Sequence, residues 1–214
     1  LETWSGLNAA VCNSGTSALH LALLNAGIKK GDEVICPDMT FASTWNVIEY
    51  VGAKPVFVDI DPLTWCISCN DVIQKINSKT RAIISVDLFG NPCDYKNLGD
   101  ICKKHGIVLI QDAAESLGSF YDKKNVFEYG DITCTSFNLN KIITSCGGGA
   151  VFSKSSEKIK KIKSYINQCK IENSYDYYDV GYNYRMGSIN AALLSSQIER
   201  IDKILEKKID IASQ

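Results

Sequence analysis

Two residues have types and settings that point to chemistry. Asp112 closes the apolar run that starts at Ile107, and Lys141 lies inside the segment SFNLNK that opens at Ser136, shortly before Gly147, Gly148 and Gly149. An acid at the end of a buried strand and an amine on a nearby turn are the groups that pyridoxal phosphate requires. Its ring nitrogen takes a carboxylate and its aldehyde takes a lysine. Each residue alone has a plainer account: Asp112 could cap the AAES segment after it, and Lys141 could be a surface lysine. Lys141, however, stands among apolar and small residues, where desolvation lowers the proton affinity of an amine and favours Schiff-base chemistry.

A third feature is the run Ser14, Gly15, Thr16, Ser17, which opens a helix pattern. Free backbone N–H groups and the helix dipole make such a start an anion site suited to a phosphate. An ordinary capped helix would read the same way.

These residues need elements to hold them. Strand patterns fall at 33–36, 56–59, 82–86, 107–111, 132–137 and 149–153, and helix patterns at 17–26, 41–51 and 94–105. The first and third helices are closed by Gly27 and Gly106. Such alternation predicts an α/β fold, a mainly parallel central sheet flanked by helices. In open sheets of this kind ligands collect at the carboxyl ends of the strands, where Asp112 stands. After Ser153 the chain turns lysine-rich and helical from Ser155, crosses a tyrosine-rich connection at 167–184, and enters a long helix pattern at about 188–208. The expected division is an α/β part, 1–154, and a helical continuation, 155–214. His20 reads as packing on its helix, and His105 as a helix C-terminal residue favoured by the dipole. The opening on Leu1 and the charged helix at the end read as an excerpt of a longer protein.

Composition narrows the partners. Lys plus Arg number 23 against 24 Asp plus Glu, so no basic excess draws nucleic acid or a membrane surface. The apolar runs are strand-length, short of the roughly 20 residues that span a bilayer. No leader pattern is visible, which makes the cytoplasm the expected compartment. Nine cysteines without a framework read as free thiols in a reducing compartment. The lone Cys66-x-x-Cys69 pair, in a chain with two histidines, reads as incidental rather than as a zinc site, and no metal is expected.

In order along the chain come GTSALHLAL at Gly15, DMTFAST at Asp38, DAAESLGSFY at Asp112, SFNLNKIIT at Ser136, GGGAV at Gly147 and GYNYRM at Gly181. This ordered set, from about Ala10 to Glu206, resembles the DegT/DnrJ family of PLP-dependent nucleotide-sugar aminotransferases, within the fold-type-I aspartate aminotransferase superfamily. The resemblance implies the PLP-binding large domain of such an enzyme, with the smaller C-terminal domain missing from this chain. It implies transfer of an amino group from L-glutamate to the keto carbon of a nucleotide-linked deoxysugar. The sugar would be a 4-keto-6-deoxyhexose or its N-acetylamino form, used for surface polysaccharide or glycan biosynthesis. It also implies a homodimer with shared active sites.

Carried over by position, Lys141 becomes the lysine that bonds the cofactor and carries the proton between cofactor and sugar. Asp112 becomes the partner of the ring nitrogen. Gly15, Thr16 and Ser17 match the phosphate cradle, Ser136 a phosphate-binding hydroxyl, and Phe41 the aromatic that stacks on the ring. Glu115 falls near the cofactor's hydroxyl, and Asn183 matches a residue that reaches the phosphate of the neighbouring subunit. Two positions depart from the pattern: Asp87, commonly His, and Cys146, often Gly or Glu. A PLP-dependent sugar dehydratase of the same fold is the alternative enzyme, and the retained Lys141 counts against it. A non-catalytic binding or regulatory protein would not need the set Lys141, Asp112 and Ser136. A nicotinamide enzyme fits worst, because no G-x-G-x-x-G follows the first strand.

Overall fold

The computed structural model describes residues 1–214. Its centre is a seven-stranded sheet built from β1 (Asn8–Cys12), β2 (Glu33–Pro37), β3 (Lys54–Val58), β4 (Thr80–Val86), β5 (Val108–Asp112), β8 (Ile132–Ser136) and β9 (Gly149–Ser153). The spatial order is β1-β9-β8-β5-β4-β2-β3. β3, β2, β4, β5 and β8 run parallel, and β9 is antiparallel to both β8 and β1. A separate two-residue hairpin joins β6 (Phe120–Tyr121) to β7 (Lys124–Asn125).

Helices cover both faces, as a sheet buried on two sides requires. α2 (Gly15–Asn25), α3 (Ser43–Tyr50) and α6 (Ser156–Ile166) share one apolar cluster with Ala82, Ile84 and Ile110 of the central strands. α4 (Cys69–Lys75), α5 (Tyr95–His105), α7 (Ser188–Ile198) and α8 (Ile201–Ala212) put Val72, Leu98, Leu194 and Ile201 into the opposite cluster, with Ile83 and Leu109. Alternate residues of β4 and β5 therefore feed opposite faces, the period-two rule of a strand. A short α1 (Glu2–Ser5) packs Trp4 against the second cluster. No helix is long and apolar enough to cross a membrane.

Local chemistry sets the ends of the helices. Ser14, Asp94 and Ser155 accept hydrogen bonds from the N–H groups of Ser17, Asn97 and Lys158, capping α2, α5 and α6. Gly106 closes α5 at φ 65°, a left-handed position that glycine takes without a Cβ clash.

Several expectations are corrected. The strand expected at 56–59 begins two residues earlier, and the helix expected from Phe41 begins at Ser43. β1 escaped detection because Asn-Ala-Ala-Val-Cys has little strand preference of its own. It forms by pairing with β9, some 140 residues away in sequence. The long helix at 188–208 is broken at Glu199–Arg200 into α7 and α8. The bend lets Ile201 enter the core and brings Leu205 over Gly118, where a Cβ would lie 2.6 Å from its Cδ1. The cysteines are all free thiols, seven of them buried, one half-buried and only Cys146 exposed.

Candidate active site

Because β9 runs opposite to its neighbours, its first residue meets the carboxyl ends of β1 and β8 at the same edge of the sheet. Asp112 ends β5, Ser136 ends β8, Asp87 follows β4, and Asn13–Gly15 follow β1. These residues gather around one cavity of about 510 Å³. Gly15, Thr16, Phe41, Asp112, Glu115, Ser136 and Lys141 all line it. Pockets of a few hundred cubic ångströms at strand ends are where small ligands and cofactors sit.

Asp112 forms the floor. Its Oδ2 accepts the Thr44 hydroxyl at 3.0 Å and its Oδ1 accepts the Ala114 N–H at 3.2 Å. Thr44 is in turn 2.8 Å from the Thr40 hydroxyl. With Thr44 donating to Asp112, Thr40 is left as donor to Thr44. Burial pushes the Asp112 carboxyl up to about 6, against the pull of the Thr44 and Ala114 bonds and the Lys141 charge. It makes no ion pair. A buried carboxylate facing a cavity without a cationic partner suits a ligand that brings a positive charge.

Lys141 lines the cavity from the turn after β8. Its Nζ lies 3.2 Å from Glu115 Oε1, and Glu115 Oε2 accepts the Phe89 N–H at 2.8 Å. The lysine is thereby tied through Glu115 to the loop after β4. Lys141 and Asp112 come from different segments and line one cavity, where the lysine charge acts on the carboxyl.

The third wall is the start of α2. The first N–H groups of a helix lack partners within it. Ser14 satisfies that of Ser17, and Gly15 and Thr16 open on the cavity. A Cβ on Gly15 would lie 2.8 Å from Ser136 Cβ, so only glycine lets the β8 end approach the helix start so closely. A helix N-terminus flanked by Ser136 and Thr16 has the donors and the dipole that a phosphate needs.

The sequence model of the DegT/DnrJ/EryC1/StrS aminotransferase family matches residues 4–214. The chain belongs to this family. It is 43% identical over 206 residues to the GDP-perosamine synthase of Vibrio cholerae, covering 96% of this chain and 56% of that protein. Among solved structures, a DegT/DnrJ/EryC1/StrS aminotransferase from Brucella abortus superposes with a TM-score of 0.89 at 33% identity, covering 94% of this chain and 57% of that one. A Streptococcus pneumoniae protein described as a candidate sugar aminotransferase, solved in its PLP form, gives a TM-score of 0.95 at 30% identity, with 99% and 60% covered. The DegT-family chain thus spans little more than half the length of the relatives it matches. Aminotransferases of this family use pyridoxal phosphate.

Two of the residues that the DegT resemblance picks out do not line the cavity. Ser17 is buried beneath the cradle, where its hydroxyl donates to Asn13 Oδ1 at 2.6 Å. Its observed partners belong to the capping network. Asn183 is exposed on the loop before α7 and bridges to Asn167. That loop is held from below, since the Tyr184 carbonyl accepts the Asn13 N–H at 2.8 Å and the Tyr184 hydroxyl lies 3.1 Å from His20 Nδ1. His20 is therefore packed, as expected, and also hydrogen-bonded. Sequence reasoning missed Thr44, which orients Asp112, and the amides Asn138 and Asn140 beside Lys141 in the cavity wall. The two amides were visible within SFNLNK, but nothing local marks Thr44, which acts through a strand 68 residues away.

Proposed function

We propose that this chain forms the cofactor-holding body of a PLP-dependent aminotransferase that moves the amino group of L-glutamate onto a nucleotide-linked keto-deoxysugar. The sugar class is a 4-keto-6-deoxyhexose or its N-acetylamino form, destined for surface polysaccharide or glycan. The kinship with a GDP-perosamine synthase supports a nucleotide-linked substrate. The observation that carries the reading is the convergence of Lys141, Asp112 and the α2 N-terminus on one cavity.

The roles follow from the residues present. Pyridoxal phosphate, when bound, supplies an aldehyde carbon that exchanges amines and a ring that withdraws electrons from the neighbouring carbon. Gly15 and Thr16, at the helix start, and the Ser136 hydroxyl would hold the phosphate. Asp112, oriented by Thr44 and Ala114, would keep the ring nitrogen positively charged. Phe41, which is 75% exposed at the cavity mouth, offers an apolar plate for one face of the ring. Lys141 would hold the cofactor covalently and, when displaced by the incoming amine, hold and move the proton at its Nζ. Glu115 Oε1, 3.2 Å away, is the acceptor beside that nitrogen and keeps it aimed into the cavity. Asn183, outside the cavity of its own chain, would complete the phosphate site of a second copy in a homodimer.

The test is a cofactor titration of the intact protein. Addition of PLP should produce a visible absorption band, and borohydride reduction followed by peptide mapping should place the label on Lys141. A label on any other residue would refute the assignment of Lys141. L-Glutamate should then bleach the band before reduction, whereas a non-catalytic binding protein would keep it.

A further inference from the structure

A second carboxylate lies behind Asp112. Asp87 follows the end of β4, has no exposed surface and contributes to the cavity wall. Its Oδ1 accepts the Cys93 N–H at 3.0 Å and the Tyr95 hydroxyl at 2.5 Å. Its Oδ2 accepts the Gln111 amide at 2.8 Å and the Ser116 hydroxyl at 2.7 Å. The Gln111 orientation is set from the other side, because Thr133 donates to Gln111 Oε1 at 3.0 Å and leaves the NH₂ for Asp87. Four donors on two oxygens favour the ionised form, which offers a lone pair to each of them. Burial works against that form and pushes Asp87 above the ordinary carboxylate range, while the four hydrogen bonds pull it down.

Asp87 and Asp112 end adjacent strands, and the Asp87 N–H donates to the Asp112 carbonyl at 3.1 Å. Neither carboxylate has an ion-pair partner, and the nearby Lys141 Nζ is paired with Glu115. Buried negative charges without a partner favour a cation in the space they face. The other titratable groups that feel Asp87 are Tyr95, Cys93 and Cys66, and none of them brings a positive charge. The Asp87 charge already acts on Asp112, adding to the burial that opposes its ionisation.

We propose that Asp87 is a positioning residue for the cofactor site. Its charge behind Asp112 strengthens the preference for a protonated ring nitrogen, and its hydrogen bonds to Gln111 and Ser116 hold the loop that carries Asp112 and Glu115. The proposal rests on the PLP reading above and extends it to a residue that does not touch the ring.

The decisive comparison uses Asp87→Asn, which keeps the shape and removes the charge, in the intact protein. Dissociation constants are measured for PLP and for its carbocyclic analogue, in which C–H replaces the ring nitrogen. A buried charge near the ring nitrogen should make D87N bind PLP about tenfold more weakly, with the analogue unchanged within about twofold. Equal losses for both ligands, or a loss for neither, would overturn the proposal, because a purely structural role cannot distinguish them. In the cofactor-free protein, carboxyl carbon NMR should show Asp112 titrating at lower pH in D87N than in wild type, and an unchanged midpoint would also overturn it. If wild type binds neither ligand, the PLP reading fails, and this titration alone decides whether Asp87 acts on Asp112. Should D87N not fold, the same spectra of the wild-type protein still decide: Asp87 must be ionised at pH 7, and a protonated Asp87 refutes the proposal.

Discussion

At the scale of single residues, Asp112 and Lys141 show how one side chain's setting selects its chemistry. Asp112 has its carboxyl raised from 3.8 to about 6, chiefly by burial, so the cofactor-free fold favours its neutral form. The stability tied to that preference is fully present below about pH 4 and is lost as pH rises through 6. At about 1.4 kcal/mol per pH unit the loss amounts to roughly 3 kcal/mol. Denaturant titrations of the cofactor-free protein from pH 4 to 7 should therefore show the wild type losing stability relative to Asp112→Asn. The comparison with the variant is needed because Asp87, raised, adds to the fall, while His20 and Asp94, lowered in the fold, act in the opposite direction. Bound PLP should reverse the trend near neutrality, because a cationic ring nitrogen rewards the ionised carboxylate. Lys141→Ala should leave the fold intact, abolish borohydride labelling and lower turnover by about 10³-fold or more, as measured by amino transfer from L-glutamate.

At the scale of elements, the cradle is a junction of three: the start of α2, the end of β8 and the beginning of the antiparallel β9. Its closeness is the reason that Gly15 matters. Gly15→Ala would push a methyl carbon against Ser136 and should cost about 1–3 kcal/mol of stability, read by thermal or denaturant unfolding. It should also weaken PLP binding, since both neighbours of the phosphate site shift. Ser14→Ala is the milder probe. It removes the cap on Ser17 N–H and should cost about 1 kcal/mol while leaving the fold unchanged by circular dichroism. The elements themselves were mostly legible from apolar runs and glycine stops. β1 and the break between α7 and α8 were not: the strand is decided by its pairing with the distant β9, and the break goes with the seating of Ile201 in the core and of Leu205 against Gly118.

At the scale of the whole molecule, large apolar side chains stand exposed at the cavity, in Phe41, and next in sequence to its lining residues, in Phe89 and Leu139. Phe41, Phe89 and Leu139 are 75%, 72% and 68% exposed. Large apolar side chains left exposed beside a site suit a contact surface, in keeping with the proposed homodimer. Asn183 gives the proposal a functional test. If it serves the partner's site, Lys141→Ala and Asn183→Ala, each poorly active alone, should complement when their subunits are mixed and reassembled. Random pairing leaves one intact site in half of the dimers, so activity should recover to about a quarter of wild type. An unchanged sum of the two residual activities would mean that Asn183 acts within its own chain or not at all.

Strand and helix periodicity and short-range turn chemistry are written locally, so the fold class, the family and the ordered motifs could be read along the chain. Asp112 at a strand end and Lys141 before a glycine run were readable for that reason. It took the folded chain to show that Thr44 orients Asp112, that Ser17 is spent within the cap, and that Asp87 is held by four donors from three separate segments. The Thr44–Asp112 and Gln111–Asp87 contacts form only after the sheet has ordered its strands, whereas Ser17 is fixed by Asn13 and Ser14 in its own turn. Hydrogen-bond partners tens of residues apart leave no periodic trace along the chain.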